Sequence, residues 1–283
     1  MLNSIKNYIE VLKPRETILL GFIGMCTVIV GADGNPPFDR LLLATAVILI
    51  ASGGANGLTN YLDRHVDARM QRTCKRVFPT GRIAPPEKAL PWMIGLVLVG
   101  LVGAWFLHPY ALIADLVGTV AALVFRKRVI CVFPQGAIAG CAPILMGWFA
   151  VNTTFNWEIG LLCLLITAWL PLHVWSVMIS HREDYIGAGL TFFPMSVPIS
   201  SAVLILLFCA LALNVVGVSL YFVADFGILY LVLALILGAM MLYSSARLVT
   251  AYSSNSAWKL YKLSSFPYLG LLFLAMCLDI WLR

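Results

Sequence analysis

Charged side chains are scarce in this 283-residue chain. Asp, Glu, Lys and Arg make up 11% of it, against about 25% in an ordinary soluble domain. Apolar residues reach 61%, and the mean hydropathy is +0.93. These values exclude a soluble globular enzyme and a disordered chain. Paired cysteines are missing too. Seven cysteines are scattered at positions 26, 74, 131, 141, 163, 209 and 277, with no CxxC pair and no Cys/His spacing of the zinc type. That excludes a secreted disulfide scaffold and leaves the thiols as small packing residues. Strict apolar/polar alternation is absent, and with it the signature of an outer-membrane barrel. No polar stretch leaves room for a separate soluble domain.

What is present is long apolar runs. Nine segments stand out, at about 17–33, 41–62, 91–107, 109–125, 134–150, 159–180, 196–220, 226–246 and 265–282. Each is near the ~20 residues that span a bilayer as a helix, and a lipid-exposed backbone must satisfy its own hydrogen bonds. The expectation is an all-α polytopic membrane protein of about nine transmembrane helices, a single domain over residues 1–283. Polar connections are expected at about 63–90, 181–195 and 247–264. With a cytoplasmic N-terminus and alternating sides, 17 of the 19 Lys and Arg fall on the cytoplasmic face, and only Arg40 and Arg283 fall opposite. That obeys the positive-inside rule. No Arg-rich transit peptide precedes the first segment, so a bacterial or archaeal inner membrane is expected. No nucleic-acid partner is expected.

The few acids are concentrated. Segment two ends in Asn60-Tyr61-Leu62-Asp63-Arg64-His65-Val66-Asp67. If the helix continues, Asn60, Asp63 and Asp67 share one face at the membrane mouth. Two carboxylates so close repel each other, and a hard cation answers that: Mg²⁺ commonly bridges one or two carboxylates to substrate phosphates. Arg72, Lys75 and Arg76 follow and suit the phosphate oxygens. Topology rules alone account for Arg64, Arg69, Arg82 and Lys88. A second cluster closes segment six. Pro171 can open that helix, His173 lies at intermediate depth, and Glu183-Asp184 repeat the acidic theme as a second candidate pair of metal ligands. His173 could ligate a metal, move a proton or hydrogen-bond a neighbour. Arg126-Lys127-Arg128 ends segment four, where Lys127 and Arg128 are candidate phosphate contacts. Asp115, inside segment four, reads as water-lined or paired.

The run Asn60 to Asp67, with Met70, Arg72-Thr73 and Lys75-Arg76, resembles the first aspartate-rich motif of the intramembrane aromatic prenyltransferases. Lys127-Arg128, Gly140-Cys141-Ala142-Pro143-Ile144-Leu145-Met146-Gly147-Trp148, Trp169-Leu170-Pro171-Leu172-His173 and Glu183-Asp184-Tyr185 resemble the haem-modifying branch, the protoheme IX farnesyltransferase family. The resemblance spans about residues 50–200. It implies helices around a central cavity and Mg²⁺-bound farnesyl diphosphate, with Asn60, Asp63 and Asp67 as metal-site residues. Arg72, Lys75, Lys127 and Arg128 become diphosphate contacts. A histidine at 173 favours a porphyrin acceptor, haem B, and Asp63, Asp67 and His173 are the candidate catalytic residues. Thr59, His65 and Leu172 depart from the family pattern. The lipid bilayer and a downstream haem-modifying or oxidase-assembly protein are the further partners expected. The alternatives are another acceptor (a quinone-precursor ring or a glyceryl phosphate), a transporter, and a haem chaperone.

Overall fold

The computed structural model describes residues 2–124 and 135–283, and among these the regular structure is entirely helical. In chain order the helices are α1 (Leu2–Val11), α2 (Pro14–Gly31), α3 (Phe38–Asp67), α4 (Leu90–Leu107), α5 (Pro109–Val124), α6 (Gln135–Phe149), α7 (Trp157–Ser180), α8 (Arg182–Gly187), α9 (Ile199–Val223), α10 (Ile228–Thr250), α11 (Ser254–Leu263) and α12 (Leu271–Leu282). Seven of the described spans are long and apolar enough to cross a membrane, and two shorter apolar helices, α5 and α6, accompany them. The nine apolar segments therefore all fold as helices.

Local chemistry accounts for the helix starts. Pro14 opens α2, where its missing N–H has no partner to lose. The Asn156 side chain caps α7 by accepting from the Ile159 amide at 3.1 Å, and the Ser253 hydroxyl caps α11 by accepting from Ser256 at the same distance.

Two sequence expectations are refined. Pro171 does not break its helix: α7 runs unbroken from Trp157 to Ser180, with Pro171 buried inside it. The break lies in the last span instead. There, α11 passes through a π-type segment, Ser264–Gly270, into α12, and Ser265 leaves helical geometry at ψ −137°. Part of the polar stretch expected as a connection at 247–264 is thus helix, and it packs along α7.

The length of α3 positions the acidic motif. Its 30 residues extend about 45 Å at 1.5 Å per residue, against a hydrocarbon core of about 30 Å. Its last turns therefore stand at the polar rim, carrying Asn60, Asp63 and Asp67 as one helical surface. The helix packs against α2 and α4, and Gly54 lets the α4 backbone approach closely, because a Cβ there would lie 2.8 Å from the Val97 nitrogen. The α2–α6 crossing is tighter still. A Cβ on Gly147 would overlap the Gly24 carbonyl oxygen, so only small residues fit.

The Gly147→Ala variant is accordingly expected to lose about 1–3 kcal/mol through overpacking. Gly95 in α4, where a Cβ would meet nothing within 4 Å, is the control: Gly95→Ala should be neutral or slightly stabilising. Thermal unfolding in detergent of the two variants checks this, with only Gly147→Ala expected to melt earlier.

Candidate active site

The mouth is built where the α1–α2 junction meets the end of α3 and the loop after it. Asn60, Asp63 and Asp67 are all buried, at 7%, 5% and 1% exposure, so the helix does continue and turns all three inward. The Asn60 amide donates to the Val11 carbonyl at 2.7 Å and so holds the α1–α2 junction. Lys13, in left-handed backbone at φ 51°, donates to the Thr59 hydroxyl at 3.0 Å. Arg76 closes the other side. Its guanidinium pairs with the Asp67 carboxylate at 2.8 Å and lies 3.5 Å from the Asn60 oxygen. A cavity of about 410 Å³ opens here, lined by Lys13, Arg15, Glu16, Asn60, Asp67 and Arg76. Arg82 straps the loop to α1 through two bonds to Glu10, at 2.6 and 2.7 Å. Beside that guanidinium the Glu10 carboxyl sits below its ordinary range.

The second acidic pair divides its work. Asp184, on α8, accepts from the backbone amides of Gln71 and Arg72 at 2.7 and 3.1 Å. It therefore docks the loop of the first motif onto the second. Glu183 is exposed and, with Asp184 and Arg69, lines a separate cleft of about 500 Å³. The structure thus puts Asn60 and Asp67 on one cavity, with Asp63 buried on the same helix, and leaves Glu183 on another opening. Arg72 is half-buried. One guanidinium nitrogen donates to the Tyr185 hydroxyl at 3.0 Å, while its Nε–H is buried with no partner among the described residues. Lys75 is exposed. Lys127 and Arg128 lie outside the described residues.

His173 sits deeper, in an aromatic box. Its ring stacks on Trp169 with centroids 4.6 Å apart and faces Tyr261 at 4.8 Å. The break in the last span supplies its polar partners: Nδ1 lies 3.2 Å from the Ser264 hydroxyl and 3.5 Å from that of Ser265. Both hydroxyls donate to the Tyr261 carbonyl at 2.8 Å. With both serine protons used there, Nδ1 is the donor, a tautomer assigned from this network. In that tautomer Nε2 keeps its lone pair, and no hydrogen bond to it is seen among the described residues.

Sequence reasoning gave no role to Lys13, Tyr185, Tyr261, Ser264 and Ser265. A Lys-Pro step at a helix start and a Ser-Ser-Phe-Pro run inside an apolar span were the available signals. Among the described residues no three His, Cys, Asp or Glu gather as a ready cation cage. The oxygens of Asn60, Asp63 and Asp67 still fit a Mg²⁺ ion that takes its other ligands from water and phosphate, and the orphaned Arg72 Nε–H fits the anion that would accompany it.

Comparison with known proteins gives a consistent family. Residues 18–266 match the UbiA prenyltransferase family. A protoheme IX farnesyltransferase of Desulforudis audaxviator is 36% identical over 287 residues, covering 99% of this chain and 90% of its own. One from Archaeoglobus fulgidus is 31% identical, covering 99% of this chain and all of its own. In fold, the chain is similar to a digeranylgeranylglyceryl phosphate synthase, with TM-score 0.78, 18% identity and 98% of each chain covered. It is also similar to a UbiA homologue from Archaeoglobus fulgidus bound to GPP and Mg²⁺, with TM-score 0.66, 14% identity, and 95% and 99% covered. The chain is a multi-pass integral membrane prenyltransferase and belongs to the UbiA prenyltransferase family.

Proposed function

We propose that the protein transfers a farnesyl group from farnesyl diphosphate to a vinyl group of haem B, with Mg²⁺ at the Asn60/Asp63/Asp67 mouth. The observation that carries the donor half is the buried, unpartnered Nε–H of Arg72, in the loop that follows the acidic end of α3. A buried guanidinium proton without an acceptor is costly, and a diphosphate oxygen satisfies it. The acceptor half is supported by relatives named protoheme IX farnesyltransferase and by His173, whose free Nε2 lies among flat aromatic rings.

Bound at the mouth, Mg²⁺ would supply charge stabilisation for the departing pyrophosphate. Arg72 and Lys75 donate to the leaving oxygens, an electrostatic clamp that strengthens as the carbon–oxygen bond breaks. Arg76 keeps Asp67 in position. Farnesyl diphosphate ionises to an allylic cation and pyrophosphate, and the terminal vinyl carbon of haem bonds to the allylic carbon. Apolar helices exclude bulk water from that encounter. The cation left on the haem side chain is then captured by water, giving a hydroxyethylfarnesyl group. His173 holds the porphyrin by its iron through Nε2, in the tautomer that Ser264 and Ser265 impose.

In membranes given farnesyl diphosphate and haem B, Asp63→Ala and Asp67→Ala are expected to abolish farnesylated haem while folded protein persists. Mass analysis of extracted haems reads this, and near-normal product from both variants would sink the assignment of the mouth. Parallel incubations with 4-hydroxybenzoate or a glyceryl phosphate test the acceptor. Arg72→Ala should raise the KM for farnesyl diphosphate roughly ten- to hundredfold, the worth of a hydrogen bond to a charged group. His173→Ala should lose the haem Soret shift while prenyl diphosphate binding survives. The double variant Ser264→Ala/Ser265→Ala should weaken that shift with His173 still present; an unaltered shift would mean the serines do not set the tautomer.

A further inference from the structure

Asp115 is used by none of the chemistry above. It lies in α5, 4% exposed, inside the membrane-spanning bundle. The Thr119 hydroxyl approaches Oδ1 at 3.4 Å, and Oδ2 is buried with no partner among the described residues. A carboxyl group in a bilayer interior without a partner is expensive and marks a function by default. It borders a partly open cavity of about 80 Å³ between α2, α3, α5 and α6.

The lining of that cavity is mostly apolar, but it carries four polar side chains. From α3 come Ser52 and Asn56, and from α5 come Asp115 and Thr119. Pro143 of α6 also borders it. A proline has no N–H to give the carbonyl four residues back, so the Ala139 carbonyl, on the same wall, lacks its helical donor. Apolar voids of this size stay dry, whereas polar ones hold water that makes two to four bonds. One water needs about 10–15 Å³ on this measure, so there is room for several. A prenyl chain or a porphyrin is far too large. Asn56 is one turn below Asn60 on the same face of α3, about 6 Å deeper. Through Asn56 the pocket adjoins the α3 surface one turn below the mouth.

We infer that this cavity is an internal water site and that Asp115 is the base for the water that ends the reaction. The second clause rests on haem prenylation as the activity; the first does not. One lone pair of the water oxygen forms the bond to the cationic carbon of the prenylated vinyl group. The proton released passes to Asp115 Oδ2. Cation and carboxylate are consumed together, leaving an alcohol and a neutral carboxylic acid. Without a held water, the same cation loses a proton from the neighbouring carbon and gives a diene one water lighter.

The test uses the full chain in nanodiscs, comparing wild type with the isosteric Asp115→Asn. Haem products are resolved by mass. The ratio of hydrated to dehydrated product should fall about 100-fold, the typical contribution of a positioned base. A purely structural role would lower both products together, and an unchanged ratio overturns the base. Radiolytic hydroxyl-radical footprinting, which needs no substrate, reads the water itself. Met146 borders the cavity and is 2% exposed. It should be oxidised in the wild-type protein and protected in Asp115→Leu. An unlabelled wild-type Met146, or equal labelling of both, overturns the water site. If wild type modifies no haem yet Met146 is labelled in the expected pattern, the acceptor assignment falls and the water site stands.

Discussion

A bilayer interior offers no hydrogen bonds, so every polar group carried into it must find a partner within the chain or be set aside for a ligand. That constraint organises this protein. Most polar groups near the mouth are spent on holding helices together: Asn60 on the Val11 carbonyl, Lys13 on Thr59, Asp184 on the amides of Gln71 and Arg72. Against that background the exceptions stand out. Arg72 Nε and Asp115 Oδ2 are buried and unpartnered among the described residues, and His173 Nε2 keeps a free lone pair.

The two acidic motifs are unequal. Both present carboxylates at the same charged face, but the first buries its pair and the second docks one acid on the backbone and exposes the other. The Asp184 contacts make the loop at 71–72 dependent on α8, while Tyr185 steadies the Arg72 guanidinium. A disturbance at α8 is thereby felt at the mouth without any change in the first motif. The deeper aromatic box is coupled in a similar way. Trp169 donates its indole N–H to the Ser264 carbonyl at 2.5 Å, so the break in the last span and the stacking partner of His173 are one unit. A break at this place is understandable: π-type segments release carbonyls from the helical ladder, and here one of them is taken up by Trp169.

Much of this was legible beforehand. The apolar runs fold as helices because no other backbone arrangement of such runs survives in lipid. The inward triad Asn60, Asp63 and Asp67 follows from helical spacing alone. The role of Asp184 was not legible, since its amide partners lie 112 and 113 residues away in sequence. The helix over 254–263 was obscured by its polar composition, which matches a loop until packing along α7 gives it a buried face. Pro171 pointed to a break that neighbouring packing suppresses.

Composition and periodicity by themselves determined that this chain is a helical membrane protein with a carboxylate-rich mouth at its basic face. Both are local or averaged properties: apolar length fixes the span, and 3.6-residue spacing fixes the face. Tertiary structure decided which polar groups are left over. Whether Arg72 keeps an unsatisfied proton, whether His173 carries its proton on Nδ1, and whether Asp115 borders a polar void depend on partners contributed by distant helices. No local pattern encodes those partners, because a hydrogen bond is settled by a few tenths of an ångström in space and not by separation along the chain.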